Sequence, residues 1–161
     1  MPDPGRPLIM WLATIEQADL LRGSRIVEKL GKTILFVCGH NAGRSQMAEA
    51  FFNHLAGGRA HAISAGTQPA ERVGPAVVEA MREVGIDIAD CRPKPLTREM
   101  LQAAAHVITM GCSLEEACPS PLPDVEDWPL DDPKGQPMPG VRRIRDEIRT
   151  RVEALLRRID T

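Results

Sequence analysis

The stretch Thr33-Ile34-Leu35-Phe36-Val37-Cys38-Gly39-His40-Asn41-Ala42-Gly43-Arg44-Ser45-Gln46-Met47-Ala48-Glu49-Ala50-Phe51 decides the fold. The apolar run from Thr33 to Val37 reads as a strand buried on both faces, as in parallel sheets. It ends on Cys38, and after a short loop a helical pattern opens at Ser45. That helix puts Met47, Ala48, Phe51, Phe52 and Leu55 on one face. A strand end, a tight loop and a helix N-terminus together aim backbone N–H groups at one point, which suits an oxyanion. Arg44 follows the cysteine by six positions, and its planar fork fits two oxygens of a tetrahedral anion. The same field favours a thiolate at Cys38. Ser45 is placed to hydrogen-bond that thiolate, and Gly43 sits where the loop must turn tightly. The pattern points to nucleophilic chemistry on something shaped like phosphate. The plainer alternative is a buried cysteine at a strand end, acting as a small hydrophobe. The loop after Cys38 does not close on Gly-Lys-Ser/Thr, as glycine-rich nucleotide loops do.

With 161 residues, the chain fits one domain around one core. Apolar residues make up 43% and aromatics 3%, with no tyrosine, so the packing is aliphatic. The net charge of −2 offers no basic field to nucleic acid or an anionic membrane. No apolar run approaches membrane-spanning length, and Met1-Pro2-Asp3-Pro4-Gly5 lacks the basic region of a secretory signal. These features predict a soluble, cytoplasmic protein. In that compartment four cysteines point to catalysis, metal binding or inert packing rather than a disulfide framework.

Residues 1–31 show partial helical spacing and read as an N-terminal helical extension, packed on the domain or on a partner subunit. Residues 32–161 read as the domain proper. Beyond the first strand and helix, Ala60 to Ala65 predicts a short strand closed by Gly66. Gly74-Pro75 opens a helix over Val77, Val78, Met81 and Val84. Thr97 caps a short helix over Met100 and Leu101, and Ala105 to Met110 returns as a strand. The proline-rich segment from Pro119 to Pro139 hides a strand near Val125 to Leu130. A last helix spans Val141 to about Ile159, its apolar positions stepping by three and four. This alternation predicts an α/β three-layer sandwich, a parallel sheet flanked by helices on both faces. Ligands bind such sheets beyond the carboxyl ends of the strands, where Cys38 and Gly111-Cys112 both fall.

Cys112 and Cys118 flank Ser113-Leu114-Glu115-Glu116-Ala117. Zinc would need further ligands, with only His106 and Cys91 within reach of the pattern, and the spacing departs from the usual one. Burial as small hydrophobes fits poorly with two glutamates between them. The remaining reading is redox: one thiol attacks an intermediate on Cys38 and passes its disulfide to the neighbour. Such a relay requires loop movement, since cysteines with α-carbons more than ~7 Å apart cannot bond. Cys91 reads as a bystander. His40, inside the loop, either positions the anion or faces solvent. Asp131-Asp132-Pro133 either starts a turn or carries an acid above the anion; beside a cysteine-based anion site the acid is the better reading.

Taken together, Cys38 to Glu49, Ile63-Ser64-Ala65-Gly66-Thr67, Val107-Ile108-Thr109-Met110-Gly111-Cys112 with Cys118-Pro119, Glu126 to Pro133 and Ile144-Arg145-Asp146-Glu147-Ile148 resemble arsenate reductases built on the low-molecular-weight protein tyrosine phosphatase fold. The resemblance covers about residues 32–160. It implies a four-stranded parallel sheet and conversion of arsenate to arsenite by three cysteines, without a cofactor or metal. On this pattern Cys38 attacks arsenate held by Arg44 and the loop Gly39, His40, Asn41, Ala42 and Gly43, with Asp132 protonating the departing oxygen. Cys112 then forms a disulfide with Cys38, releasing arsenite, and Cys118 takes over the link for thioredoxin to reduce.

The sequence departs from that pattern in places. His40 stands where phosphatases of this fold usually have glycine, and the tyrosines that follow their Asp-Pro are missing. Both features argue against phosphotyrosine as substrate. The loop also resembles relatives that use mycothiol, and the Cys112–Cys118 step is one residue shorter than in the best-matching thioredoxin-coupled members. An arsenate-mycothiol transferase, or a low-molecular-weight phosphatase, is therefore the alternative reading. Asn41, Glu49 and Ser64 match part of the family's potassium site, and Lys94 is placed to put its ammonium there instead.

Overall fold

The computed structural model describes residues 33–112 and 124–160. The expected N-terminal extension and Cys118 lie outside the described residues. Four strands, β1 (Thr33–Cys38), β2 (His61–Gly66), β3 (His106–Thr109) and β4 (Asp124–Asp127), form one sheet in the order β2-β1-β3-β4. All three pairings are parallel. Every β1 residue is buried, as the uninterrupted apolar run requires of a strand with neighbours on both edges and layers on both faces.

The helices are α1 (Arg44–Ala56), α2 (Pro75–Glu83), α3 (Arg98–Ala103) and α4 (Met138–Asp160). Alternation along β1 divides the core. Ile34, Phe36 and Cys38 point into the larger cluster, with Phe51 and Phe52 of α1, Val77 and Met81 of α2, and Ile144 and Ile148 of α4. Leu35 and Val37 point to the other face, against Leu101 and Ala104. Phe36 anchors the larger side between Phe52, at 6.1 Å between ring centroids, and Trp128, at 5.6 Å. Such edge-on and tilted pairs add to the stabilisation from burial.

Local chemistry sets the element ends. Gly57 closes α1 in the left-handed conformation at φ 57°. Pro75 occupies the first turn of α2, where its missing N–H costs nothing. Thr97 Oγ1 accepts from Met100 N at 3.2 Å and caps α3. Two boundaries differ from the sequence reading by more than one residue. The last helix starts at Met138, because Pro139 is tolerated in a first turn. The last strand ends at Asp127, ahead of Trp128 and of Pro129, which has no N–H to give to a ladder.

Candidate active site

Parallel pairing brings the carboxyl ends of β1 and β3 side by side, with Val37 opposite Thr109. The Cys38–Arg44 loop runs from that rim into α1. Its turn depends on Asn41, the only non-glycine residue with positive φ (51°) among the described residues. Asparagine tolerates this left-handed conformation better than most side chains. Asn41 N donates to Cys38 Sγ at 3.2 Å. Ser45 Oγ lies 2.8 Å from the same sulfur and accepts from Asn41 Nδ2 at 2.7 Å. Asn41 Oδ1 in turn accepts from Gln46 Nε2 at 3.0 Å and from Lys94 N at 2.9 Å. Asn41, Ser45 and Gln46 are all buried, so this chain of donors and acceptors is held rigidly behind the cysteine.

Gly43 has a packing role besides the turn into α1. Its φ is −146°, so nothing there demands left-handed backbone. A Cβ at this position would lie 2.8 Å from Pro133 Cγ; the missing side chain lets the Asp132-Pro133 loop close over the cysteine loop. Gly66 is comparable, since a Cβ there would meet Gly39 O at 2.8 Å.

Arg44 is almost enclosed, its side chain 11% exposed, and Nη2 lies 3.8 Å from Asp132 Oδ2. Nη1 donates to Leu130 O at 3.2 Å. That anchor leaves the Nε–Nη2 edge for an anion. Asp132 is half-exposed, with Oδ1 accepting from Lys134 N at 3.0 Å. Cys38, His40, Ala42, Gly43, Arg44 and Asp132 share one pocket of about 320 Å³. His40 is exposed, and its Nδ1 lies 3.1 Å from Gln68 O.

Cys112 does not line that pocket. It packs against the smaller cluster around Val37 and Leu101, with its thiol donating to Val37 O at 3.5 Å. Burial pushes the Cys112 thiol above its ordinary value, a hydrogen bond at Met110 opposes this, and proximity to Cys38 adds to the rise. Cys38 and Cys112 therefore share a rim but sit on opposite faces of the sheet.

A model of the low molecular weight phosphotyrosine protein phosphatases matches residues 33–161. The chain belongs to that family. An arsenate reductase of Staphylococcus haemolyticus is 38% identical over 76% of this chain and 95% of its own length. Among solved structures, a thioredoxin-dependent arsenate reductase of Corynebacterium glutamicum superposes with a TM-score of 0.68 at 40% identity, covering 80% of this chain and 61% of that one. The family fold also carries an arginine phosphatase of Geobacillus stearothermophilus, at TM-score 0.66 and 26% identity, over 80% of this chain and 93% of that one.

In this member of the phosphatase family, three further residues belong to the site that sequence reasoning did not single out. Gln46 ties the loop to the Arg92–Lys94 segment, donating also to Arg92 O at 3.1 Å; a polar residue inside an otherwise apolar helix face was its only signal. Arg72 and Lys134 line the pocket, brought there from distant stretches of sequence. Lys94 Nζ lies 3.5 Å from Glu49 Oε2, which also accepts from Ser64 Oγ at 2.6 Å. The ammonium thus stands beside two of the residues that match the family's potassium site. Asn41 Oδ1, the third, is already occupied by two N–H donors.

Proposed function

We propose that this protein reduces arsenate to arsenite through a cysteine relay that thioredoxin recharges. One observation carries the reading: the β1 end holds Cys38 against an oxyanion-shaped loop with Arg44, and the neighbouring β3 end supplies a second thiol, Cys112. A phosphatase needs the first set only. The arsenate reductases among the relatives support the same choice.

In this mechanism the loop N–H groups and the Nε–Nη2 edge of Arg44 bind arsenate. The Cys38 thiolate attacks arsenic, and Asp132 protonates the oxygen that leaves, giving an arsenylated Cys38 and water. Cys112 then attacks the Cys38 sulfur. The arsenic–sulfur bonding pair stays on arsenic, which becomes arsenic(III) and leaves as arsenite, while a Cys38–Cys112 disulfide forms. Cys118 attacks Cys112 in turn, freeing Cys38 and leaving Cys112–Cys118, and thioredoxin's dithiol returns the two electrons. Such a cycle fits the reducing cytoplasm; no helix among the described residues is long and apolar enough to cross a membrane.

A second reading, transfer of arsenic from Cys38 to mycothiol, is favoured by the pocket. At about 320 Å³, with Arg72 and Lys134 in its wall, it has room for more than a tetrahedral anion. Arsenate-dependent NADPH consumption separates the two. Turnover with thioredoxin and thioredoxin reductase supports the relay; turnover only with mycothiol, glutaredoxin-type oxidoreductase and reductase supports transfer.

A further inference from the structure

The alternation of β3 predicts the wrong face for Cys112. Val107 packs with Leu35 and Val37, whereas Ile108 and Met110 pack on the other side with Phe36 and Cys38. Continued alternation would place Cys112 on that same side as Cys38. It packs instead with Val37 and Leu101. The residue between, Gly111, has φ 78°, a left-handed backbone that breaks the strand period and turns Cys112 away.

Gly111 also touches the anion clamp. A Cβ on it would lie 2.7 Å from Arg44 Nη1 and 3.7 Å from Cζ, so the guanidinium rests directly on the glycine. That contact, with the bond to Leu130 O, fixes where the Arg44 fork points. The left-handed Gly111 therefore holds two things at once: Arg44 in its anion-binding position and Cys112 on the far face.

We propose that Gly111 is the positioning residue coupling the two halves of the reaction, a hinge whose extension brings Cys112 to Cys38's face and takes away the support under Arg44. This rests on the roles given to Arg44 and Cys112 above. While an oxyanion engages the fork, the contact keeps Gly111 left-handed and Cys112 withdrawn. When Gly111 extends, Cys112 reaches Cys38 as the clamp loosens, so disulfide formation and arsenite release occur together. Linkage requires reciprocity: an anion that binds better to the withdrawn state must slow the excursion of Cys112.

Gly111→Ala tests this, because alanine disfavours positive φ and its methyl collides with Arg44. Gly85→Ala is the control: Gly85 has φ 82° with nothing within 4 Å of its Cβ position, so it reports left-handed strain alone. Phosphate affinity is measured by calorimetry. Cys38–Cys112 formation is followed by peptide mapping under diamide, which takes two electrons and two protons from the thiol pair. Gly111→Ala should bind phosphate at least tenfold more weakly yet form the disulfide several-fold faster, with Gly85→Ala unchanged in both. Loss of folding strength would also weaken binding and expose the thiols, so the comparison with Gly85→Ala is made at matched unfolding midpoints. Unchanged phosphate affinity, or a slower disulfide, in Gly111→Ala overturns the coupling. If Arg44→Lys also keeps its phosphate affinity, the clamp assignment itself has failed; if it loses affinity, only the hinge has. Should Gly111→Ala fail to fold, the wild-type protein decides: saturating phosphate must slow peptide-resolved alkylation of Cys112, and no slowing overturns the proposal.

Discussion

Ser45 Oγ lies 2.8 Å from Cys38 Sγ, and Asn41 Nδ2 donates to that oxygen from the other side at 2.7 Å. With one lone pair so engaged, the hydroxyl hydrogen is free to point at the sulfur. Ser45→Ala removes a hydrogen bond to the thiolate that the proposed attack on arsenic requires, worth ~1.5–3 kcal/mol. The first chemical step should slow by roughly 10- to 100-fold, with little change in arsenate affinity. Rapid-quench measurement of arsenylated enzyme checks this; an unchanged rate would remove Ser45 from the site.

Arg44→Lys keeps the charge but not the fork. An ammonium cannot donate to Leu130 O and present two parallel N–H groups to an anion. By comparison with loss of an oxyanion donor, kcat/KM for arsenate should fall ~100-fold or more. Steady-state kinetics close to wild type would show that the guanidinium is not the clamp.

The first half of the site was legible because it is local. A buried strand, a short loop and a helix start put Cys38, Arg44 and Ser45 together whatever the rest of the chain does. Asp132 reaches the site through tertiary packing; the Arg44 bond to Leu130 O spans 86 positions, and it was suggested by the general scheme of an acid above an anion together with the family resemblance. The packing of Gly43 on Pro133 has no local signature and adds to the turn that the sequence suggests there. The face of Cys112 was illegible for a sharper reason. Strand periodicity argues for one side, and one left-handed glycine reverses it. Sequence reading placed the proline at position 139 in a loop, although a first helical turn accepts it.

Cys112 titrates above the ordinary thiol value because it is buried, with nearby Cys38 adding to the effect. Its alkylation in resting enzyme should therefore keep accelerating beyond the pH at which a free thiol levels off. Peptide-resolved alkylation against pH reads this directly; a plateau at the ordinary value would mean that Cys112 is already solvated in the resting state.

Burial alone would raise Glu126, but hydrogen bonds from Arg158, Trp128 and His106 outweigh it and bring the carboxyl down to about 2. The folded value is depressed, so its contribution to stability is complete above the ordinary value of 4.5 and is lost as pH falls towards about 2. Glu126→Gln should lower the unfolding midpoint at neutral pH, and the gap to wild type should narrow with acidification below 4.5. A gap independent of pH would assign the effect to packing instead.

In the proposed cycle two electrons pass from Cys38 and Cys112 to arsenic. Peptide mapping of Cys118→Ser after a single arsenate turnover, with arsenite quantified in the same sample, tests it most directly. About one arsenite per enzyme and a Cys38–Cys112 disulfide in equal amount are expected, since removing a thiol blocks only its own step and those after it. Arsenite formed with Cys112 still reduced, or sustained turnover of this variant with thioredoxin, would contradict it.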